Sequence, residues 1–321
     1  MVRVGVPSDA GDDLLAFFPK EAEIIRLDPK EKSEVAVDFW VAPIRPRDMA
    51  AVSARIHGVK VVQSLWAGVD ALLPFVPAGA KLYDAQGVHD IPVAEWIVTG
   101  IFAALKYLPF YVRMQERGHW EKQPSAEPSY QPGYRGDPPQ APPVVPEELA
   151  GKVVLIVGYG AIGRAVEERL TPFGVSFLRL GRSSRNGIEP AERLDDLLPQ
   201  ADIVLLLVPL TEDTKGLIDA ARLSKMKRGA LLVNAARGPV VNTDALVEAL
   251  HWGRVRAVVD VTDPEPLPDG HPLWSAPNVL ITPHIGGASA RFMERAFRLA
   301  ADQVRRYIAG EPLANLVENG Y

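Results

Sequence analysis

Three short segments in the second half of the chain carry side chains suited to moving a proton and holding an anion. They are Asn234-Ala235-Ala236-Arg237-Gly238, Asp260-Val261-Thr262-Asp263-Pro264-Glu265-Pro266 and Thr282-Pro283-His284-Ile285-Gly286-Gly287. The guanidinium of Arg237 is permanently charged and planar, a fork that matches a carboxylate and can polarise a carbonyl beside it. Imidazole exchanges protons near neutral pH, which makes His284 the natural acid or base. Glu265, if hydrogen-bonded to that ring, would orient it and stabilise the charge it carries as an acid. Each residue alone has a plainer use: an arginine capping a helix, a glutamate in a proline-rich turn, a histidine in a strand-end loop. The three together at these motifs favour chemistry.

A fourth segment points to a phosphate-bearing carrier. The apolar run 153–157 leads into Gly158-Tyr159-Gly160-Ala161-Ile162-Gly163, and a helical pattern follows from 164 to 170. Glycines spaced in this way are a weak sign alone, but between a strand and a helix they make a dinucleotide turn. The first glycine allows the tight turn and the second lets the backbone approach the pyrophosphate. The third lets the helix pack close to the strand, with its N-terminus facing the phosphates. A carboxylate for a ribose 2′-hydroxyl is expected about 20 residues on. The next strand instead ends Leu180-Gly181-Arg182-Ser183-Ser184-Arg185. Arginine forks and serine hydroxyls in that place suit a 2′-phosphate, so Gly181, Arg182, Ser183 and Arg185 are assigned to NADP, with NADPH preferred over NADH.

These segments need strands to carry them. Runs at 152–157, 176–180, 203–208, 230–234, 255–259 and 279–282 are almost continuously apolar, as parallel strands buried on both faces must be. An earlier series, at 2–6, 23–27, 35–41, 60–64 and 81–83, alternates with helical patterns at 10–18 and 46–57, which again implies parallel βαβ units. A long helical pattern runs from 92 to 117 with an interruption near Pro109, and an amphipathic one runs from 290 to 309. The stretch 120–146 holds eight prolines, which forbid helix and central strand alike. It reads as a loop, an arm packed on a partner or a flap.

The 321 residues suggest two domains. A formal charge of −5 argues against a nucleic-acid surface. The absence of cysteine removes disulfides, thiolate catalysis and cysteine-ligated metals. The histidines lack metal-ligand spacing, so no metal site is expected. With neither a leader-like start nor a long apolar stretch, the expectation is a soluble, cytoplasmic protein without membrane partners.

Taken with Ala67-Gly68-Val69-Asp70, Val93-Ala94-Glu95, Glu148-Leu149-Ala150-Gly151-Lys152, Val208-Pro209-Leu210-Thr211 and His271-Pro272-Leu273, these motifs resemble the D-isomer-specific 2-hydroxyacid dehydrogenases, most closely the glyoxylate/hydroxypyruvate reductase branch. The resemblance covers nearly the whole chain. It implies an α/β fold of two doubly wound parallel-sheet domains with a cleft between them. A flavodoxin-like substrate domain would take residues 1–98 and 288–321, and a Rossmann cofactor domain residues 99–287. The implied reaction reduces a small 2-keto acid to the D-2-hydroxy acid, with His284 as acid, Glu265 as its partner and Arg237 on the carboxylate. Further implied cofactor contacts are Val208 and Pro209 at the adenosine side and Thr214 near phosphates or ribose. Ala235 and Ala236 would lie beneath the nicotinamide, Asp260 would meet its carboxamide, and Arg237, His284 and Gly286 complete the set. Trp66, Ala67 and Gly68 would meet the substrate, although Trp66 departs from the family pattern. A homodimer is implied, with the 92–117 helix a candidate interface. Two other readings stay open: a formate- or phosphite-type dehydrogenase, and a nucleotide-sensing binding protein of the corepressor type.

Overall fold

The computed structural model describes residues 1–120, 122 and 145–317. The proline-rich stretch 120–146 therefore lies almost wholly outside the described residues. The chain forms two compact units, Met1–Asp90 with Ala288–Tyr321, and Ile91–Gly287.

Among the described residues the first unit has seven strands: β1 (Val2–Pro7), β2 (Ala22–Leu27), β3 (Val35–Ala36), β4 (Phe39–Val41), β5 (Ile56–His57), β6 (Val61–Gln63) and β7 (Lys81–Tyr83). Five make a parallel sheet in the order β2-β1-β4-β6-β7, and β3 pairs with β5 alone. Side chains alternate across a strand, and β4 shows the consequence. Phe39 and Val41 enter one core with Phe297, Ala300 and Val304 of the helix Phe292–Ala309, while Trp40 enters the other with Val52 and Val62. The run expected at 35–41 is thus two strands. Asp38 separates them, its carboxylate accepting the backbone N–H of Arg3 at 3.1 Å. The helical pattern at 10–18 shrinks to the single turn Asp12–Leu15.

The second unit carries β8 (Val153–Val157), β9 (Ser176–Gly181), β10 (Glu189–Pro190), β11 (Ile203–Leu206), β12 (Ala230–Asn234), β13 (Val255–Val259) and β14 (Val279–Ile281). All are parallel, in the order β10-β9-β8-β11-β12-β13-β14. From β8 the chain winds outward to β9 and then returns to β11 on the other side. Their carboxyl ends flank the switch point, where such sheets bind ligands. Both faces are covered: Leu155, Val157, Val204 and Leu206 belong to one core, Val154, Ile156, Ile203 and Leu205 to the other. The division between units falls at Asp90/Ile91 rather than 98/99. The helix Asp90–Leu105 packs as one piece on the second sheet through Val93, Ala94, Ile97, Ile101 and Leu105. The long pattern at 92–117 breaks at Tyr107, which is left-handed (φ 52°), and resumes as Leu108–Glu116. Among the described residues no single helix is long and apolar enough to cross a membrane.

Candidate active site

The turn after β8 is built by close approach. Gly158 has φ +98°, and a Cβ there would lie 2.7 Å from the carbonyl carbon of Leu207 and 2.8 Å from the nitrogen of Val208. Only glycine combines that dihedral with that contact. The space around Gly160 is open, and Gly160 caps the helix Ala161–Leu170. The first N–H groups of that helix, including those of Ala161 and Ile162, have no intrahelical acceptors and suit an anion. Gly163 packs against Ile156 and Tyr159. Tyr159 is held in turn by Arg179, whose guanidinium sits 5.6 Å from its ring centre. Arg179 grips Glu167 with two hydrogen bonds, of 2.7 and 2.5 Å. That grip holds the Glu167 carboxyl below its ordinary range, and it commits Arg179 to the protein itself.

The exposed residues Arg182, Ser183, Ser184 and Arg185 follow β9. Arg185 and Ile188 exchange backbone hydrogen bonds of 3.2 and 2.8 Å around Asn186 (φ 29°) and Gly187 (φ 78°). Positive φ at both central residues is the tight reversal that Asn-Gly favours. No carboxylate stands between Leu180 and Ile188. Beyond β11, the Thr214 hydroxyl donates to Pro209 O at 2.6 Å and accepts from Thr211 N at 2.8 Å. It therefore braces the loop holding Val208 and Pro209.

Arg237 leaves β12 half-buried, with Nη1 on the carbonyl of Ala236 at 2.8 Å. Buried Asn234 fixes this turn: its Nδ2 donates to Arg237 O at 3.1 Å and its Oδ1 accepts from Ala236 N at 3.1 Å. A Cβ on Gly238 would fall 1.8 Å from the carbonyl oxygen of Thr262. The backbone beside Arg237 thus lies directly on the loop that carries Glu265. Gly238→Ala must push the two loops apart, so we expect a destabilisation of at least ~2 kcal/mol and reduced turnover. Urea melts with parallel initial rates would show this, and wild-type values for both would refute the steric account.

His284 and Glu265 meet directly, Nδ1 to Oε1 at 2.7 Å, each side chain nearly half exposed. The backbone of His284 is left-handed, with φ 54°. A non-glycine residue in that region needs support from its surroundings, and Asp260 gives it. Its backbone carbonyl accepts His284 N at 2.7 Å. Its buried carboxylate accepts the Thr282 hydroxyl at 2.6 Å, Ile285 N at 2.8 Å and Gly286 N at 2.7 Å. Trp96 Nε1 then donates to the Thr282 hydroxyl at 3.1 Å.

In the first unit, Trp66, Ala67 and Gly68 follow β6, all partly buried. The Trp66 ring stacks on His89 (4.9 Å, 8°) and on Phe292 (4.7 Å, 27°). It joins the 64–70 loop to the two places where the chain enters and leaves this unit.

The match to known proteins is extensive. The family described as "D-isomer specific 2-hydroxyacid dehydrogenase, NAD binding domain" matches residues 98–286, more than half of the chain. The chain belongs to the D-isomer-specific 2-hydroxyacid dehydrogenases. Members are NAD(P)-dependent oxidoreductases, and so is this chain. A glyoxylate reductase from Thermofilum pendens is 36% identical over 271 residues, covering 82% of this chain and 76% of its own. The mitochondrial formate dehydrogenase of Solanum tuberosum is 33% identical over 289 residues, covering 85% and 71%. The NADPH-dependent glyoxylate/hydroxypyruvate reductase from Sinorhizobium meliloti, solved with NADP and sulfate, superposes with a TM-score of 0.80. It is 27% identical and covers 100% of both chains.

For this dehydrogenase, motif reading singled out Arg237, Glu265 and His284 and the glycine turn, and the structure brings His284 and Glu265 into direct contact. It missed the hydrogen-bonding work of Asp260 and the clasp of Gly238 on Thr262. An aspartate closing one strand, ahead of a threonine closing the next, was the available signal for the first.

Proposed function

We propose that this enzyme reduces a small 2-keto acid, of glyoxylate or hydroxypyruvate size, to the D-2-hydroxy acid with NADPH. The observation that carries the reading is the 2.7 Å bond between His284 Nδ1 and Glu265 Oε1. It uses one ring nitrogen and leaves Nε2 to give a proton to the substrate's C2 oxygen. Glu265 stabilises the positive ring and keeps its rotamer, so the proton is held at a fixed place. Arg237 holds the carboxylate and draws electron density from the ketone. Trp66, Ala67 and Gly68 are assigned to substrate recognition in the same reading.

The residues after β8 fit a dinucleotide: a turn only glycine can make, open space at Gly160 and free helix N–H groups beyond it. Gly158, Tyr159, Gly160, Ala161, Ile162 and Gly163 would hold the pyrophosphate. Gly181, Arg182, Ser183 and Arg185 would hold the 2′-phosphate, and Val208, Pro209, Thr214, Ala235, Ala236, Asp260 and Gly286 the remainder. When bound, the group supplies the hydride. Because Asp260 already accepts three hydrogen bonds through its carboxylate, we assign it first to holding the His284 loop.

Initial rates with NADPH and NADH against glyoxylate, hydroxypyruvate, pyruvate and 2-ketoisocaproate test the reading. We expect turnover that favours NADPH, with the preference falling on the order of tenfold in Arg182→Gln. An NADH preference in the wild type would overturn the cofactor assignment. Formate oxidation is the second reading, favoured by the potato relative. Formate releases a hydride without any hydroxyl proton to move, so the Glu265–His284 pair supports the keto-acid reductase instead. Tight cofactor binding without turnover on any of these acids would favour a nucleotide-sensing role. We further expect a homodimer.

A further inference from the structure

Inside the first unit two glutamines are fully buried, Gln63 at the end of β6 and Gln303 on the helix Phe292–Ala309. They stand 240 residues apart in sequence, yet their side chains meet, Gln303 Nε2 donating to Gln63 Oε1 at 3.2 Å. Gln63 Nε2 donates onward to Ser64 O and to Asp84 O, each at 2.9 Å. At the other end, Gln303 Nε2 donates to Ala314 O at 2.7 Å and Gln303 Oε1 accepts Ala314 N at 2.9 Å. Both nitrogens and both oxygens of the two amides are thereby engaged. The pattern also fixes which way each amide points. Ala314 N must meet an oxygen, so Gln303 turns its nitrogen toward Gln63, whose oxygen must then face it.

One end of this ladder is the loop assigned to the substrate. Ser64 opens that loop, and its hydroxyl accepts Trp66 N at 3.0 Å. The loop is laced to β7 and the residues after it, with Ser64 N donating to Tyr83 O at 2.8 Å and Ala85 N to Trp66 O at 3.0 Å. On the far side of β7 the C-terminal segment pairs antiparallel, Leu316 against Tyr83. There Asp84 N donates to Asn315 O at 3.0 Å and Val317 N to Leu82 O at 2.9 Å. Residues 82–85 are thus held between the loop and the C-terminal segment, and the glutamine ladder joins those two from within the core. Two apolar side chains of the same shape would fill the space at little cost. A buried polar network with every group satisfied does more, because it fixes one arrangement of the backbone around it.

We propose that Gln63 and Gln303 are positioning residues for the substrate loop. Through Ser64 O they set where Trp66, Ala67 and Gly68 stand against the acid, and the C-terminal segment is the far anchor of that setting. The inference rests on the reading that residues 66–68 meet the substrate. The ladder gives neither charge nor proton to the reaction, so its mark falls on acid binding rather than on the chemical step.

Gln303→Met keeps the length of the side chain and removes its amide. Amide hydrogen exchange followed by mass spectrometry on the full-length enzyme then reads the loop without any substrate. We expect exchange across residues 64–70 to quicken on the order of tenfold, while the glycine turn at 158–163 keeps its wild-type rate. Initial rates should show KM for the keto acid raised on the order of tenfold, with kcat and NADPH affinity unchanged. Gln63→Met should do the same, and the double variant no more than either single one, because both break one ladder. Gln303→Asn guards against poor folding: it keeps an amide but is too short to span Gln63 and Ala314, so KM should rise in that variant too. Unchanged exchange at 64–70 would overturn the role given to the ladder. Faster exchange there with an unchanged KM would show that the loop does not serve the acid, which overturns the substrate reading and the proposal with it. Exchange quickened equally at 64–70 and 158–163, with NADPH affinity lost alongside KM, would mark general destabilisation and overturn the positioning role.

Discussion

His284→Asn is expected to lower kcat for keto-acid reduction by about 10²–10⁴-fold while leaving NADPH affinity unchanged. Asparagine is the informative replacement because His284 sits at φ 54°, and asparagine tolerates that conformation better than most residues. Alanine would add a backbone penalty of ~1 kcal/mol to the loss of the ring. The loop itself should survive either change. Its anchors are the Asp260 carboxylate, on Thr282, Ile285 and Gly286, and the Asp260 carbonyl, on His284 N, none of which involves the imidazole. Losing the ring therefore removes the proton donor without removing the scaffold. Stopped-flow or steady-state rates, paired with cofactor binding followed by fluorescence, separate the two. Turnover within tenfold of wild type would remove His284 from the acid role; weakened cofactor binding would show that the loop had moved.

The parts of the fold that sequence could reveal are those whose side chains answer to their own neighbours. Strands such as 153–157 and 203–206 are buried on both faces, so almost every residue is apolar and the run can be read without its partners. The glycine turn is equally local, since strand, turn and helix follow one another directly. Interruptions were less visible. Asp38 parts one expected strand because it bonds to Arg3, thirty-five residues away. The site divides in the same way. Arg237, Glu265 and His284 announce themselves by residue type, but what positions them is distant in sequence: Gly238 against Thr262, and Asp260 against Thr282, Ile285 and Gly286. Trp66 is the clearest case. Its type marked it as a departure, yet its partners His89 and Phe292 lie in segments that only the folded unit brings together.

Arg237→Gln should cost on the order of 10²–10³ in kcat/KM for the keto acid. Glutamine keeps much of the length and can donate a hydrogen bond, but it has neither the charge nor the fork. The turn that carries the residue should hold, because Asn234 bonds to the backbone of Ala236 and Arg237 rather than to the guanidinium. Stability should consequently change little, and the melting temperature provides that control. Lysine separates charge from shape. It restores a cation but lacks the planar pair of donors, so Arg237→Lys should recover part of the loss, mainly in KM. If both variants were within tenfold of wild type, Arg237 would not be the carboxylate anchor. If lysine recovered everything, the site would need only a positive charge near the carboxylate, and the case for a two-point grip that orients the ketone toward His284 would fail.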